Sequence, residues 1–218
     1  MTDRVRLQTL SLATATLSQS PSLWLAGTDL LRSKSLDGNS YDSGDWFNAI
    51  DWSGQANGFG KGLPPEASNG SQWPLMAPLL GDAALKPAPS DITASAADAQ
   101  ELLALKRSTP LFSLGSAALI GQKLSFPVAS DPGVIVMRID DTKGADVDPA
   151  LAGALVVFNG TGAATTQTVS ALKGASLELS PVQAQGADSV VKASAWNSAA
   201  GTVTVPARSV AVFVQMQH

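Results

Sequence analysis

The chain has 218 residues, 44% apolar and 15% charged, with a formal charge of -4. That is enough apolar content for a real core and too little positive charge to neutralise a phosphate backbone, which argues against a nucleic-acid partner. Cysteine is absent and the single histidine, His218, is the last residue, so disulfides, thiolate metal sites and Ser-His-Asp chemistry are excluded together.

From the start, Asp3 to Ser18 carries Leu7, Leu10 and Leu17 at near-helical spacing, with Asp3 as a first-turn acid, and predicts a helix with one buried face. Met1-Thr2-Asp3-Arg4 lacks the apolar core of a signal peptide, and the longest apolar runs, such as Gly133–Met137, are strand-sized, so no membrane partner is expected. Pro21 ends the helix, Leu23-Trp24-Leu25 reads as a short buried strand, and Gly27 closes it before a polar stretch. Helix, buried strand and polar loop is an order typical of α/β proteins.

Gly38 to Pro89 is rich in Gly, Pro, Asn, Ser and Asp with no sustained period, and reads as a long functional loop anchored by its tryptophans. A second helix is predicted from about Ala94 to Ser108, with Asp98 and Glu101 early, Lys106 and Arg107 late, Leu102, Leu103 and Leu105 for burial, and Pro110 as its stop. After a boundary near Leu114–Ser116, β-rich runs recur at roughly ten-residue spacing. They are Ala118–Phe126, Val134–Ile139, Leu155–Phe158, Gln167–Val169, Ser176–Leu179, Val190–Ala195, Thr202–Val205 and Ser209–Val214. Alternation such as Val203-Thr204-Val205 predicts an antiparallel β-sandwich of seven or eight strands.

The stretch Ala26-Gly27-Thr28-Asp29-Leu30-Leu31-Arg32-Ser33-Lys34-Ser35, continued by Leu36-Asp37-Gly38-Asn39-Ser40-Tyr41-Asp42-Ser43-Gly44-Asp45-Trp46-Phe47-Asn48, resembles the segment after the eighth barrel strand of pullulanases and limit dextrinases, debranching members of the α-amylase superfamily. Arg4-Val5-Arg6-Leu7-Gln8 is similar to their seventh barrel helix, Leu103 to Phe112 to the end of their eighth, and Pro132 to Met137 and Val205 to Phe213 to strands of their carboxy-terminal sandwich. The resemblance covers essentially the whole chain. It implies an α/β + β fold class, the terminal portion of a (β/α)8 barrel over residues 1–115 followed by an antiparallel β-sandwich over residues 116–218.

The resemblance also implies hydrolysis of α-1,6-glucosidic bonds with retention, by an aspartate nucleophile, a glutamate acid/base and a third aspartate whose carboxyls must lie about 5 Å apart as a pair. None of the three maps onto a residue of this chain, so no catalytic residue is assigned. The implied partners are an α-glucan (pullulan, branched dextrin or amylopectin) and the remainder of the catalytic barrel. No cofactor is called, calcium being admitted only for the parent enzyme, and the compartment stays open, a secreted or periplasmic place fitting a bacterial parent.

Loops leaving the carboxyl ends of barrel strands build the active mouth of such folds, which points to Arg32, Asp37, Asn39, Asp45, Trp46 and Asn48 as substrate-binding residues. They offer amide and carboxylate partners for hydroxyls and an aromatic platform for a sugar face. Against that stand plainer roles: Asp42 and Asp45 as loop caps, Trp46 and Phe47 as loop anchors, and Arg32 and Lys34 as partners of nearby acids. Asp140, Asp141, Asp146 and Asp148 read as a solvated hairpin end and carry no metal assignment. Trp196 reads as a sandwich-core residue, and Gly58-Phe59-Gly60-Lys61-Gly62 is discounted as a phosphate loop. A non-catalytic α-glucan-binding module and a purely structural module are the competing functions.

Overall fold

A computed structural model describes residues 1–217; His218, on which the argument against imidazole chemistry turned, lies outside the described residues. The chain divides into two compact units, one of residues 1–5 and 24–97 and one of residues 6–23 and 98–218. The division falls within two helices, α1 (Thr2–Thr16) and α5 (Pro89–Ser108).

The larger unit is built on two antiparallel sheets. The first has five strands in the order β1 (Leu124–Ser125), β2 (Val134–Asp140), β3 (Leu151–Asn159), β8 (Ser209–Met216) and β5 (Glu178–Leu179). The second has three, in the order β4 (Thr165–Thr168), β7 (Thr202–Val205) and β6 (Ala195–Asn197). Alternation sets what is buried between them. Val134 and Val136 of β2, Leu155 and Val157 of β3, Ala211 and Phe213 of β8, and Val203 and Val205 of β7 share one core with Val169, Leu172 and Val191. Trp196 packs on its edge and donates its indole N–H to the Ala175 carbonyl at 2.9 Å, the core role expected of it.

In β3 the residues pointing the other way, Ala154, Val156 and Phe158, are buried too. A strand buried on both faces needs a second covering layer, which explains why this stretch reads as an unbroken apolar run. Residues of α1 and α5 within this unit, with Leu17 just past α1, supply cover: Leu12, Ala13, Leu17, Ala99, Leu102 and Leu105 are all buried. The helices do not bury every expected leucine. Leu103 is 45% exposed and Leu7 44%, because each lies off the stripe that the buried residues define at three- and four-residue steps.

Three strand expectations fail for local reasons. Ala118–Phe126 is not a strand: Ser116 caps a helix by accepting from the Leu119 amide, giving α6 (Ala117–Lys123), and only Leu124–Ser125 pairs, with β2. Most of Val190–Ala195 is a 3-10 turn, Val191–Ala193, and β6 starts only at Ala195. Leu23-Trp24-Leu25 forms no strand, and Leu23 and Leu25 are 95% and 68% exposed. An apolar triplet becomes a buried strand only where a neighbouring strand completes its ladder, and none pairs with it among the described residues.

Of the four acids expected at a solvated hairpin end, Asp146 is exposed with the turn residues 142–145, but the other three are buried. Asp140, Asp141 and Asp148 are each under a tenth exposed. Asp141 meets Lys123 Nζ at 2.7 Å, Asp140 meets Arg138 at 2.9 Å, and Asp148 accepts from the Thr109 hydroxyl.

The smaller unit is mostly irregular, but Gly38–Pro89 is not one long loop. It contains short helices α2 (Gly44–Asn48) and α3 (Glu66–Asn69) and the nine-residue α4 (Trp73–Gly81). Pro74 stands in the first turn of α4, where the missing N–H costs nothing, and Trp73 Nε1 donates to the Pro64 carbonyl at 2.9 Å. Helix α5 starts at Pro89, earlier than its charge pattern suggests, for the same reason. No helix among the described residues is long and apolar enough to cross a membrane.

Candidate functional site

The stretch Gly27–Asn48 folds as a rim stitched by backbone carbonyls. Gly27 opens it at φ 86, and its carbonyl accepts from the amides of Leu30 and Arg32, both at 3.0 Å. A Cβ at that position would lie 2.8 Å from Arg32 Cδ, so glycine there answers both to the left-handed backbone and to the close approach of the arginine. Leu31, Ser35 and Leu36 also have positive φ, of 53, 46 and 66 degrees. Conformations of this kind cost about 1–3 kcal/mol each where no glycine stands and persist only when surrounding contacts over-determine them.

Ser35 donates its hydroxyl to the Gly58 carbonyl at 3.0 Å, and two asparagines hold the backbone on either side. Asn57, buried, donates to the Leu31 carbonyl at 2.7 Å, while its own carbonyl accepts from Ser33 at 2.7 Å. Asn69, also buried, donates to Asp37 at 2.9 Å and to Pro65 at 3.0 Å. Neither was singled out in the sequence. The Asn57-Gly58 pair, a common turn signal, was the available hint.

Of the six expected binding residues, three are organisers. Arg32 donates to the carbonyls of Asn48 and Ala26, not to an acid. Lys34 likewise donates to the Ser40 hydroxyl. Asn48 donates to the carbonyls of Ser40 at 3.0 Å and Gly44 at 3.2 Å, closing the turn from which α2 starts. Asp37 accepts from the Ser43 hydroxyl at 2.6 Å, from Asn69 and from the Asn39 amide at 3.3 Å. Burial would push its carboxyl up, but these hydrogen bonds, with Lys34 nearby, outweigh it and hold Asp37 below the ordinary aspartate value.

The other three face outward. Asn39 is exposed and caps the 3-10 turn Ser40–Asp42 by accepting from the Tyr41 amide at 3.3 Å. Asp45 is exposed in the first turn of α2. Trp46 and Phe47 divide the roles that were expected of them together: Phe47 is 5% exposed and anchors the loop, whereas Trp46 is 57% exposed. Their rings lie 5.6 Å apart at 49 degrees, and Lys61 fixes the indole by sitting 5.1 Å from its centroid and donating to the Trp46 carbonyl at 2.9 Å.

Tyr41 of the rim and Trp52 just after it are 93% and 71% exposed, so with Trp46 three aromatic faces in this unit meet solvent. A cleft of about 250 Å³ lies in the same unit, lined by Ile50, Asp51, Phe59, Lys61 and Lys86. Exposed aromatics among amide and carboxylate groups suit a neutral, hydroxyl-rich ligand. Among the described residues no group of three or more acidic or histidine side chains is placed to hold a metal ion.

Residues 54–216 match the family model described as alpha-1,6-glucosidases, pullulanase-type, C-terminal, and the chain belongs to that family. It is 40% identical over 224 residues to pullulanase 1, chloroplastic, of Arabidopsis thaliana, covering 99% of this chain and 23% of that protein. It is 37% identical to the pullulanase of Klebsiella pneumoniae, covering 96% of this chain and 19% of that one. The crystal structure of PulA from Klebsiella oxytoca superposes on 100% of this chain and 21% of its own, with a TM-score of 0.89 at 36% identity. The maltotriose complex of PulA from Klebsiella pneumoniae gives 0.88 at 37% identity, over 99% of this chain and 23% of that one. The chain thus spans about a fifth of the length of the relatives it matches.

Proposed function

We propose that this chain is the carboxy-terminal segment of a debranching glycoside hydrolase that cleaves α-1,6-glucosidic bonds of starch- or glycogen-type glucans. It contributes part of the glucan-binding rim and a stabilising sandwich, and the reactive acids belong to polypeptide outside these residues. The observation that carries the reading is the match along 99% of the chain, at 40% identity, to a pullulanase.

In this reading residues 1–115 are the end of a catalytic barrel, completed by the remainder of that barrel, and residues 116–218 are the sandwich domain. That division differs from the two compact units because residues 6–23 and 98–115 pack with the sandwich. Pullulan, branched dextrin or amylopectin is the substrate, and Asn39, Asp45 and Trp46 touch it while Arg32, Asp37 and Asn48 hold them in place. Two features support the α-glucan assignment: a solved relative is a maltotriose complex, and Trp46 is exposed and held by Lys61.

Isothermal titration of the chain with maltotriose is expected to give a measurable heat, and Trp46→Ala to weaken the affinity about tenfold, the loss of one aromatic platform. Absence of heat at millimolar maltotriose would remove the rim from the binding site. With pullulan the chain alone is expected to release no reducing sugar; release abolished by changing one of its own carboxylates overturns the assignment of catalysis to other polypeptide.

A further inference from the structure

Within the larger unit a small polar cavity gathers charged groups that the debranching function does not use. It is lined by Arg6 and Thr9 of α1, Asp98 and Glu101 of α5, Gln183 of α7 (Pro181–Gln185) and Asp188, among others. Its volume is about 20 Å³, room for a single water.

The guanidinium of Arg6 is already engaged. Arg6 grips Asp188 through both carboxylate oxygens at 3.1 Å and donates to the Ser209 hydroxyl at 2.6 Å. Asp98 accepts from the Thr9 hydroxyl at 2.9 Å. Gln183, buried, donates to the Val210 carbonyl at 2.9 Å and accepts from the Val212 amide at 2.8 Å, so α7 is bonded to β8. Glu101 lies over Gly186, where an added Cβ would stand 1.8 Å from its Oε2. The charged groups here are Arg6 from α1, Asp98 from α5 itself, Asp188 and Lys192 from the segment after α7, and Arg208 before β8; α7 and β8 themselves present none.

We propose that Glu101 is a proton-operated latch that holds α5 closed on the segment from Pro181 to Val191 while protonated and loosens it once ionised. When neutral, the carboxyl adds no charge beside Asp98 and Asp188. When ionised, it becomes a third carboxylate where the guanidinium of Arg6 is already committed, and repulsion acts along the α5 contact. The carboxyl is pushed up to about 7, first by burial and then by Asp98 and Asp188, with Gln183 and Lys192 acting the other way. The transition therefore falls near neutrality.

The sign follows from linkage. The folded state holds a proton that the unfolded chain, with Glu101 near 4.5, has released, so folding weakens as pH rises between those values and levels off above the upper one. Denaturant unfolding of the chain is expected to show an unfolding constant rising by up to about tenfold from pH 6 to pH 8. Glu101→Gln, which mimics the protonated form, is expected to be flat over that window. Amide exchange corrected for intrinsic rates should speed up in residues 181–191 over the same window in the parent sequence but not in the variant. Gly186→Ala provides an independent arm: the new methyl displaces the carboxyl toward water, so Glu101, followed by carboxyl NMR, should titrate nearer its ordinary value. Equal pH profiles for the parent and Glu101→Gln, or a parent Glu101 that already titrates as an ordinary glutamate, overturn the latch.

Discussion

Asp141→Asn is expected to destabilise the sandwich by about 3–5 kcal/mol, the loss typical of removing one partner from a buried ion pair. Lys123 closes α6 and Asp141 follows β2, and their side chains are 0% and 1% exposed. Lys123 Nζ lies 2.7 Å from Asp141 Oδ1 and donates to the carbonyls of Asp141 and Lys143. The other carboxylate oxygen accepts from the amides of Val147 at 3.1 Å and Asp148 at 2.8 Å. Asparagine offers those amides at best a weaker acceptor and leaves an ammonium buried without its counter-charge. Urea unfolding should show the midpoint falling by about 2 M with the slope unchanged. A loss below about 1 kcal/mol would mean that water reaches the pair.

The pair also has a pH signature. Burial pushes Asp141 up, but Lys123 and the two amides outweigh it, so its carboxyl titrates below 3.8 in the folded chain. Its contribution is therefore complete above 3.8 and is lost as the pH falls through the lower folded value. Replacing both partners with apolar residues, Lys123→Met with Asp141→Leu, should cost less than Asp141→Asn alone, because no charge is then left buried.

What could be read from the residues followed the range of the interactions that decide each feature. Val203-Thr204-Val205 and Ser209–Val214 declare themselves by alternation, because one face of each strand meets the core whatever the rest of the chain does. The segment Gly27–Asn48 stands out as a motif, but the division of labour between Trp46 and Phe47 does not. Two adjacent aromatics in a short helix point about 100 degrees apart, and only the packed loop decides which of them meets water. Asp141 reads as a solvent-facing acid until Lys123, eighteen residues earlier in the chain, is brought against it by a helix that a serine cap creates. Leu23-Trp24-Leu25 shows the opposite dependence: its apolar character is plain in the sequence, but Leu23 and Leu25 stay exposed because no strand pairs with the triplet among the described residues.

The second large effect is expected at the rim, where Arg32→Ala should abolish the order of Gly44–Asn48 at a local cost of about 2–4 kcal/mol. One guanidinium bridges the carbonyls of Ala26 and Asn48, residues 22 positions apart, and charged donors of this kind contribute about 1.5–3 kcal/mol each. The bridge also holds the carbonyl of the residue whose side chain closes the turn from Ser40 and Gly44. Without it, α2 is a five-residue helix with no side-chain cap, far too short to persist on its own propensity. Phe47 would then leave its buried seat and Trp46 its contact with Lys61, since both ride on that helix. Limited proteolysis should cut within residues 40–50 in the variant and not in the parent chain, while the sandwich unfolds with an unchanged midpoint. Arg32→Lys separates charge from geometry: a lysine reaches one carbonyl but cannot fork to two, so it should restore only part of the protection. Full protection in Arg32→Lys would show that a single cationic donor suffices. Full protection in Arg32→Ala would mean that Asp37, Asn57 and Asn69 hold the rim without the arginine.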